Sequence, residues 1–194
     1  MRVIAGLSKG CILKAVPGSG TRPITDRVKE ALFDILGPSM AGTWFLDLFA
    51  GSGSVGIEAL SRGADHATFV EREWRAIRTI EENLALAGLA GQATLVRKDV
   101  FRFLAGQAAQ RFDIVYIAPP QYRGLWARTL RTLDGTSHLA KGGLAIAQIF
   151  PKEYAPLKLS SLTLVDQRRY GSTLLCFYRC GVIEETDDAA PQSR

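Results

Sequence analysis

The segment Asp47-Leu48-Phe49-Ala50-Gly51-Ser52-Gly53-Ser54-Val55-Gly56 limits what this chain can fold into more than any other stretch. It follows the apolar run Trp44–Leu48, which reads as a buried strand, and it leads into a helical pattern ending near Ser61-Arg62-Gly63. Gly51, Gly53 and Gly56 form a G-x-G-x-x-G pattern, in which glycines let the backbone turn tightly and approach a ligand closely. A strand that passes through such a turn into a helix is the opening unit of a doubly wound α/β sheet.

The rest of the chain keeps that alternation. Strands are expected at His66–Val70, Ala93–Val96, Ile114–Ile117 and Gly143–Ile149. Helical patterns lie between them: Glu73–Leu86 with Trp74, Ile77, Ile80 and Leu84 inward, a short helix after Asp99, and Leu125–Leu133. Two last strands, Leu162–Val165 and Ser172–Tyr178, have no helix between them and are expected to pair as an antiparallel hairpin. The expected fold is α/β: Rossmann-like, doubly wound, with a mostly parallel seven-stranded sheet and helices on both faces. Ahead of it, Arg2–Val16 reads as a small basic hairpin carrying Lys9 and Lys14, followed by a loop, so that residues 1–20 form an extension. Thr25 or Asp26 then caps a helix with Val28, Ala31, Leu32, Ile35 and Leu36 on one face and Arg22, Arg27 and Lys29 around its start. Residues 1–183 are read as a single domain and 184–194 as an acidic, disordered tail.

Ligands of open α/β sheets bind beyond the carboxyl ends of the strands. The first four strands end in Asp47, Glu71, Asp99 and Ala118-Pro119-Pro120. Glu71, roughly two dozen residues after Asp47, stands where an acidic residue accepts the two hydroxyls of a ribose. A dinucleotide would aim its pyrophosphate at the helix N-terminus, where Asp47 would crowd it. A carboxylate there suits a ligand with a positive centre, such as the ammonium and sulfonium of S-adenosylmethionine. The formal net charge of +5 includes the acidic run Glu184, Glu185, Asp187 and Asp188, so the body is more basic still. A basic body attracts nucleic acid. Three cysteines, Cys11, Cys176 and Cys180, make neither a disulfide framework nor a zinc set, and no metal is expected. No apolar run is long enough to span a membrane and no secretory signal opens the chain, so the expected location is cytoplasmic.

The Asp47–Gly53 segment resembles motif I of the S-adenosylmethionine-dependent methyltransferases. Thr21-Arg22-Pro23-Ile24-Thr25-Asp26-Arg27-Val28-Lys29-Glu30-Ala31-Leu32-Phe33, with Gly56–Ala64 and Tyr170-Gly171-Ser172-Thr173, is narrower. It resembles the bacterial RsmD family, which methylates N2 of a guanine in small-subunit (16S) ribosomal RNA. The resemblance implies a cofactor site of Asp47, Phe49, Gly51, Ser52 and Gly53 around the methionine part. It further implies Glu71 at the ribose, Asp99 at the adenine amino group, Val100 against the ring, and Arg72 beside the adenosine. Lys9, Lys14, Arg22, Thr25, Arg27 and Arg123 are the implied RNA contacts. The implied partner is ribosomal RNA, as the small subunit or its assembly intermediate, bound by a monomer.

One motif departs from the family pattern. The fourth strand there usually ends in Asp-Pro-Pro-Tyr, or Asn in place of Asp. The side-chain oxygen and a neighbouring carbonyl accept the two N–H groups of an exocyclic amine and aim its lone pair. The aromatic residue stacks on the flipped base. Here Ala118 stands in the acidic place, Pro119 and Pro120 match, Gln121 takes the aromatic place and Tyr122 follows. Three readings are open. Backbone carbonyls and the Gln121 amide replace the lost acceptor while Tyr122 stacks; or the fold binds cofactor and RNA with little transfer; or residues 118–122 are only a strand-ending turn. The alternatives in function are methylation of another base amine in RNA or DNA, and a non-catalytic ribosome-assembly factor. No cysteine near the Pro-Pro pair points to a covalent intermediate.

Overall fold

The computed structural model describes residues 1–18 and 24–181. Arg22 and the acidic tail lie outside the described residues. The sheet has seven strands in the order β3-β2-β1-β4-β5-β7-β6. They are β1 (Trp44–Asp47), β2 (His66–Glu71), β3 (Ala93–Arg97), β4 (Phe112–Ile117), β5 (Leu139–Ile149), β6 (Leu162–Tyr170) and β7 (Thr173–Cys180). β1 to β5 pair in parallel, and β7 is antiparallel to both β5 and β6. The doubly wound sheet with its C-terminal hairpin is therefore as expected. The strand order reverses at β1/β4, which opens a crevice at the carboxyl ends of those two strands.

Helices cover both faces, as burial on both sides of a parallel sheet requires. α1 (Asp26–Leu36), α2 (Ser54–Ser61) and α3 (Trp74–Ala87) close one core around Phe45, Phe69 and Tyr116. α4 (Val100–Leu104) and α5 (Leu125–Asp134) close the other around Leu46, Val70 and Val115. Thr25 caps α1, its hydroxyl accepting from Val28 N–H. The buried face of α1 is Val28, Lys29, Leu32, Phe33 and Leu36, with Ile35 exposed, so the apolar stripe is rotated from the expected one. It turns toward the amino-terminal arm and α2.

Lys29, expected among the cations at the start of α1, is buried. Its Nζ lies 3.3 Å from Glu58 and donates to the Arg2 carbonyl at 2.7 Å. Glu58, also fully buried in α2, accepts from the Ile4 and Ala5 amides at 2.8 and 3.0 Å and from Arg62 Nε at 2.8 Å. This network docks the arm. The arm does double back, but through a single bridge between Arg2 and Ile12 rather than a ladder, and it buries Val3 and Leu13 in the α1–α3 core. The basic extension is thus an integral wall of the domain. His66 stacks on Trp44, and His138 is buried against Phe103.

Candidate functional site

The crevice is lined by strand ends. The turn after β1 places Gly53 at φ +78, and a Cβ there would press on Ile80 at 3.1 Å. At Gly56 a Cβ would meet the Phe69 ring at 2.3 Å, so the third glycine lets α2 lie directly on β2. The pattern is therefore used both for the turn and for close helix–sheet packing.

Asp47 ends β1 and is 1% exposed. Its Oδ1 has no hydrogen-bond partner among the described residues. Burial pushes its carboxyl up to about 7; backbone N–H groups of Gly56 and Phe49 oppose the shift, and the charge of Glu71 adds to it. A buried acceptor without a partner is costly, and an arriving cation or donor relieves it. Glu71 ends β2. Its Oε2 accepts from Gly51 N–H at 3.0 Å, and its Oε1 from the amides of Arg72 and Glu73 at 2.8 and 3.0 Å. A carboxylate has about four acceptor sites, so Oε2 has room for one more donor, and taking two hydroxyls means exchanging one backbone N–H. Asp99 follows β3 and caps α4 through Oδ1, which accepts from Phe101 and Arg102 N–H at 3.0 and 3.2 Å. Its Oδ2 makes no hydrogen bond among the described residues. Val100 is buried beside it, and the exposed Arg72 pairs with Glu73 at 3.2 Å. Three carboxylates on adjacent strand ends make an acidic cleft in a basic protein. Such a cleft fits a ligand with a positive centre and hydroxyl donors; Asp47, Glu71 and Asp99 are the residues that would hold it.

Ala118, Pro119 and Pro120 leave β4 at the far side of the same crevice. Pro119 is buried, Pro120 and Gln121 are exposed, and Tyr122 is 69% exposed at φ +61. A tyrosine in the left-handed region is uncommon and strained, and such strain collects at ligand-binding loops. Two contacts hold it there: Tyr122 N–H donates to Glu153 Oε1 at 2.6 Å, and its ring lies 5.4 Å from that of Phe150. Arg123 is exposed in the same turn.

One residue of the crevice and one surface aromatic outside it escaped the sequence reading. Tyr116 is fully buried on β4, and its hydroxyl donates to Gln148 Oε1 at 2.5 Å. Burial, reinforced by the nearby Asp47 carboxylate, holds the phenol well above its ordinary range, so it stays a donor. The register pairs Tyr116 with Ile146 and Ile117 with Ala147, which sets Gln148 beside Ala118. Where an acidic residue is missing from one strand, an amide thus stands on the next. Only the register shows this, because Gln148 lies thirty residues further along the chain. The second is Trp74, expected to face inward but 50% exposed. Its place in the helical pattern is that of a core residue, yet it is the first residue of α3, with Arg97 at the end of β3 over its ring.

Among the described residues, the expected RNA contacts lie at the surface. Lys9, Thr25 and Arg27 are exposed. Lys14 is exposed but bound to Glu82 at 2.9 Å, and the Thr25 hydroxyl is committed to its helix cap.

A family described as conserved hypothetical protein 95 matches residues 1–179. An Escherichia coli protein named Ribosomal RNA small subunit methyltransferase D is 34% identical over 187 residues, covering 96% of this chain and 93% of that one. The Bacillus subtilis protein YlbH is 39% identical over 181 residues, covering 92% and 98%. Among solved structures, the E. coli protein yhhF matches with a TM-score of 0.84 at 34% identity, covering 93% of this chain and 98% of that one.

Proposed function

The chain belongs to the conserved hypothetical protein 95 (RsmD) family, and from that premise we propose that it is an S-adenosylmethionine-dependent methyltransferase acting on ribosomal RNA. The finer reading is methylation of the exocyclic N2 amine of a guanine in small-subunit (16S) RNA, by a monomeric single domain in the cytoplasm. The observation that carries it is the row of strand ends: buried Asp47 with its unpartnered Oδ1, then Glu71 and Asp99, facing the Pro119–Pro120 edge across one crevice.

When bound, S-adenosylmethionine supplies an electrophilic methyl group on a sulfonium. The protein's own residues do the rest. Ionised Asp47 would hold the cationic methionine end, Glu71 would take the ribose hydroxyls, and Oδ2 of Asp99 would accept from the adenine amino group. On the other side the target amine is a poor nucleophile, its lone pair being delocalised into the base. It needs two acceptors to turn that lone pair toward the methyl. The Ala118 or Pro119 carbonyl is one. Gln148 is the other: its oxygen has two lone pairs, and Tyr116 occupies only one. The amide is held in place by a buried donor, whereas Gln121 lies exposed in the turn. Tyr122 stacks on the base, and Glu153 sets its backbone. No cysteine lies on this loop, in keeping with direct transfer.

Ala118 favours one competing reading, a cofactor- and RNA-binding assembly factor with little transfer. Calorimetry with S-adenosylhomocysteine, followed by transfer of labelled methyl to small-subunit particles, separates the two. Binding with Glu71→Ala-sensitive affinity and label in RNA supports the enzyme. Binding without label supports the factor, and no binding removes both.

A further inference from the structure

The strongest feature outside the crevice is a groove between the amino-terminal arm and α3, with a volume of about 470 Å³. Lys14, Ala15 and Pro17 form one wall, and Trp74, Arg75 and Arg78 form the other. The arm is not loose here. Buried Asn83 accepts from Lys14 N–H at 2.7 Å and donates to the carbonyls of Lys14 and Ser52 at 3.0 and 2.9 Å. Trp74 is 50% exposed, and the guanidiniums of Arg78 and Arg97 lie 5.7 and 5.5 Å from its ring centroid. Glu82, the carboxylate of this wall, is bound by Lys14 at 2.9 Å. Arg75, Arg78 and Arg97 have no carboxylate partner within ion-pair distance among the described residues. A half-exposed indole flanked by guanidiniums that are in no ion pair is a stacking platform beside a phosphate-binding surface.

We propose that this groove is a second binding site for single-stranded RNA, which stacks a base on Trp74 and lays its phosphates on Arg75, Arg78 and Arg97. The proposal rests on the reading of the chain as an RNA-modifying enzyme. Its volume falls in the range of roughly 300–1,000 Å³ typical of small-ligand sites, enough for a nucleotide. An acidic peptide would match the charge but offers no planar partner for the indole. Position also fits. Trp74 lies three residues after Glu71, and Arg97 is the cross-strand partner of Glu71. Glu71 and Ala118 are two strand intervals apart on the same rim, about 10 Å at roughly 4.8 Å per strand. A strand anchored on Trp74 therefore passes the cofactor cleft on its way to Pro119–Pro120, and the flanking nucleotides help to fix which base enters.

The test measures binding of a labelled single-stranded RNA dodecamer to the full chain by fluorescence anisotropy. Trp74→Ala should weaken binding between about fivefold and about 150-fold, the span of one lost stack, while Trp74→Phe retains most of it. The pair Arg75→Ala/Arg78→Ala should lower the slope of log K against log salt by about 1.4, at roughly 0.7 per phosphate contact on a single strand. S-adenosylhomocysteine affinity should stay unchanged in all three. RNA affinity within twofold of the parent for Trp74→Ala, or a loss confined to the cofactor, overturns the proposal. The outcome is separable from the proposed function: intact methyl transfer with unaltered RNA binding in Trp74→Ala sinks the groove alone. Weakened RNA binding in a chain that never transfers methyl sustains the groove and sinks the transferase reading.

Discussion

Replacing Gln148 by leucine removes the amide beside Ala118 with little change in volume. Two losses follow, and the structure separates them. The Tyr116 hydroxyl, buried and bonded to Gln148 Oε1, is left unpaired, which costs about 1–3 kcal/mol of stability. The target amine loses one of its two acceptors. By analogy with removing one preorganised donor from an oxyanion site, kcat should fall by about 10²–10³-fold, or roughly 2.7–4 kcal/mol in the transition state. The double variant Tyr116→Phe/Gln148→Leu removes both polar partners, so stability should return to within about 1 kcal/mol of the parent. Its kcat should stay low. Ala118→Asn in the Gln148→Leu background restores an acceptor one strand away and should recover at least about tenfold. The assay is single-turnover transfer of labelled methyl to small-subunit RNA, with RNA affinity and urea melts on the same samples. If Gln148→Leu keeps kcat within threefold, or if kcat follows stability across the series, the acceptor role is wrong. Gln121→Ala, measured in parallel, should change kcat by less than a few fold.

Three further outcomes follow from the same geometry. Asp47 is held near 7 by burial, above the 3.8 of the unfolded chain. Between those values the folded state binds more protons, so the stability of the ligand-free protein should fall as pH rises, by up to about 4 kcal/mol. Asp47→Asn should flatten that slope in melts between pH 4 and 8. In the parent, S-adenosylhomocysteine should bind more tightly as pH rises through 7, because its ammonium favours the ionised carboxyl. Lys29→Ala leaves Glu58 buried with one partner fewer and should cost about 3–5 kcal/mol in urea melts, where an exposed cation would cost about 0.5 or less. Tyr122→Gly relieves a left-handed tyrosine and should leave stability unchanged or raise it by about 1 kcal/mol, while activity falls with the lost stack. Parallel losses in both would contradict that assignment.

What the sequence revealed was periodic and local. Strands alternating with helices, glycines at fixed spacing after Asp47, and Thr25 ahead of a helical stripe each act within a few residues, and the doubly wound sheet, its C-terminal hairpin and the cap follow. The misses were matters of contact between distant segments. Lys29 reads as a surface cation until Glu58, from another helix, is placed against it. Trp74 and Ile35 have core-like spacing, yet Trp74 faces the groove between α3 and the arm, and Ile35 lies on the exposed side of α1. Gln148 carries no motif; only the β4–β5 register sets it beside Ala118. For the same reason, when Ala118 was read along the chain alone, the replacement acceptor was sought in backbone carbonyls and in Gln121, the near neighbours in sequence.

The central claim is that this crevice delivers a methyl group to a base amine of ribosomal RNA. The most direct measurement incubates the protein with labelled S-adenosylmethionine and small-subunit particles, then maps the modified nucleoside by digestion and mass spectrometry. The account predicts one guanosine carrying the methyl on N2, absent with Glu71→Ala. Label on adenine, on a ribose or nowhere in the RNA would contradict it.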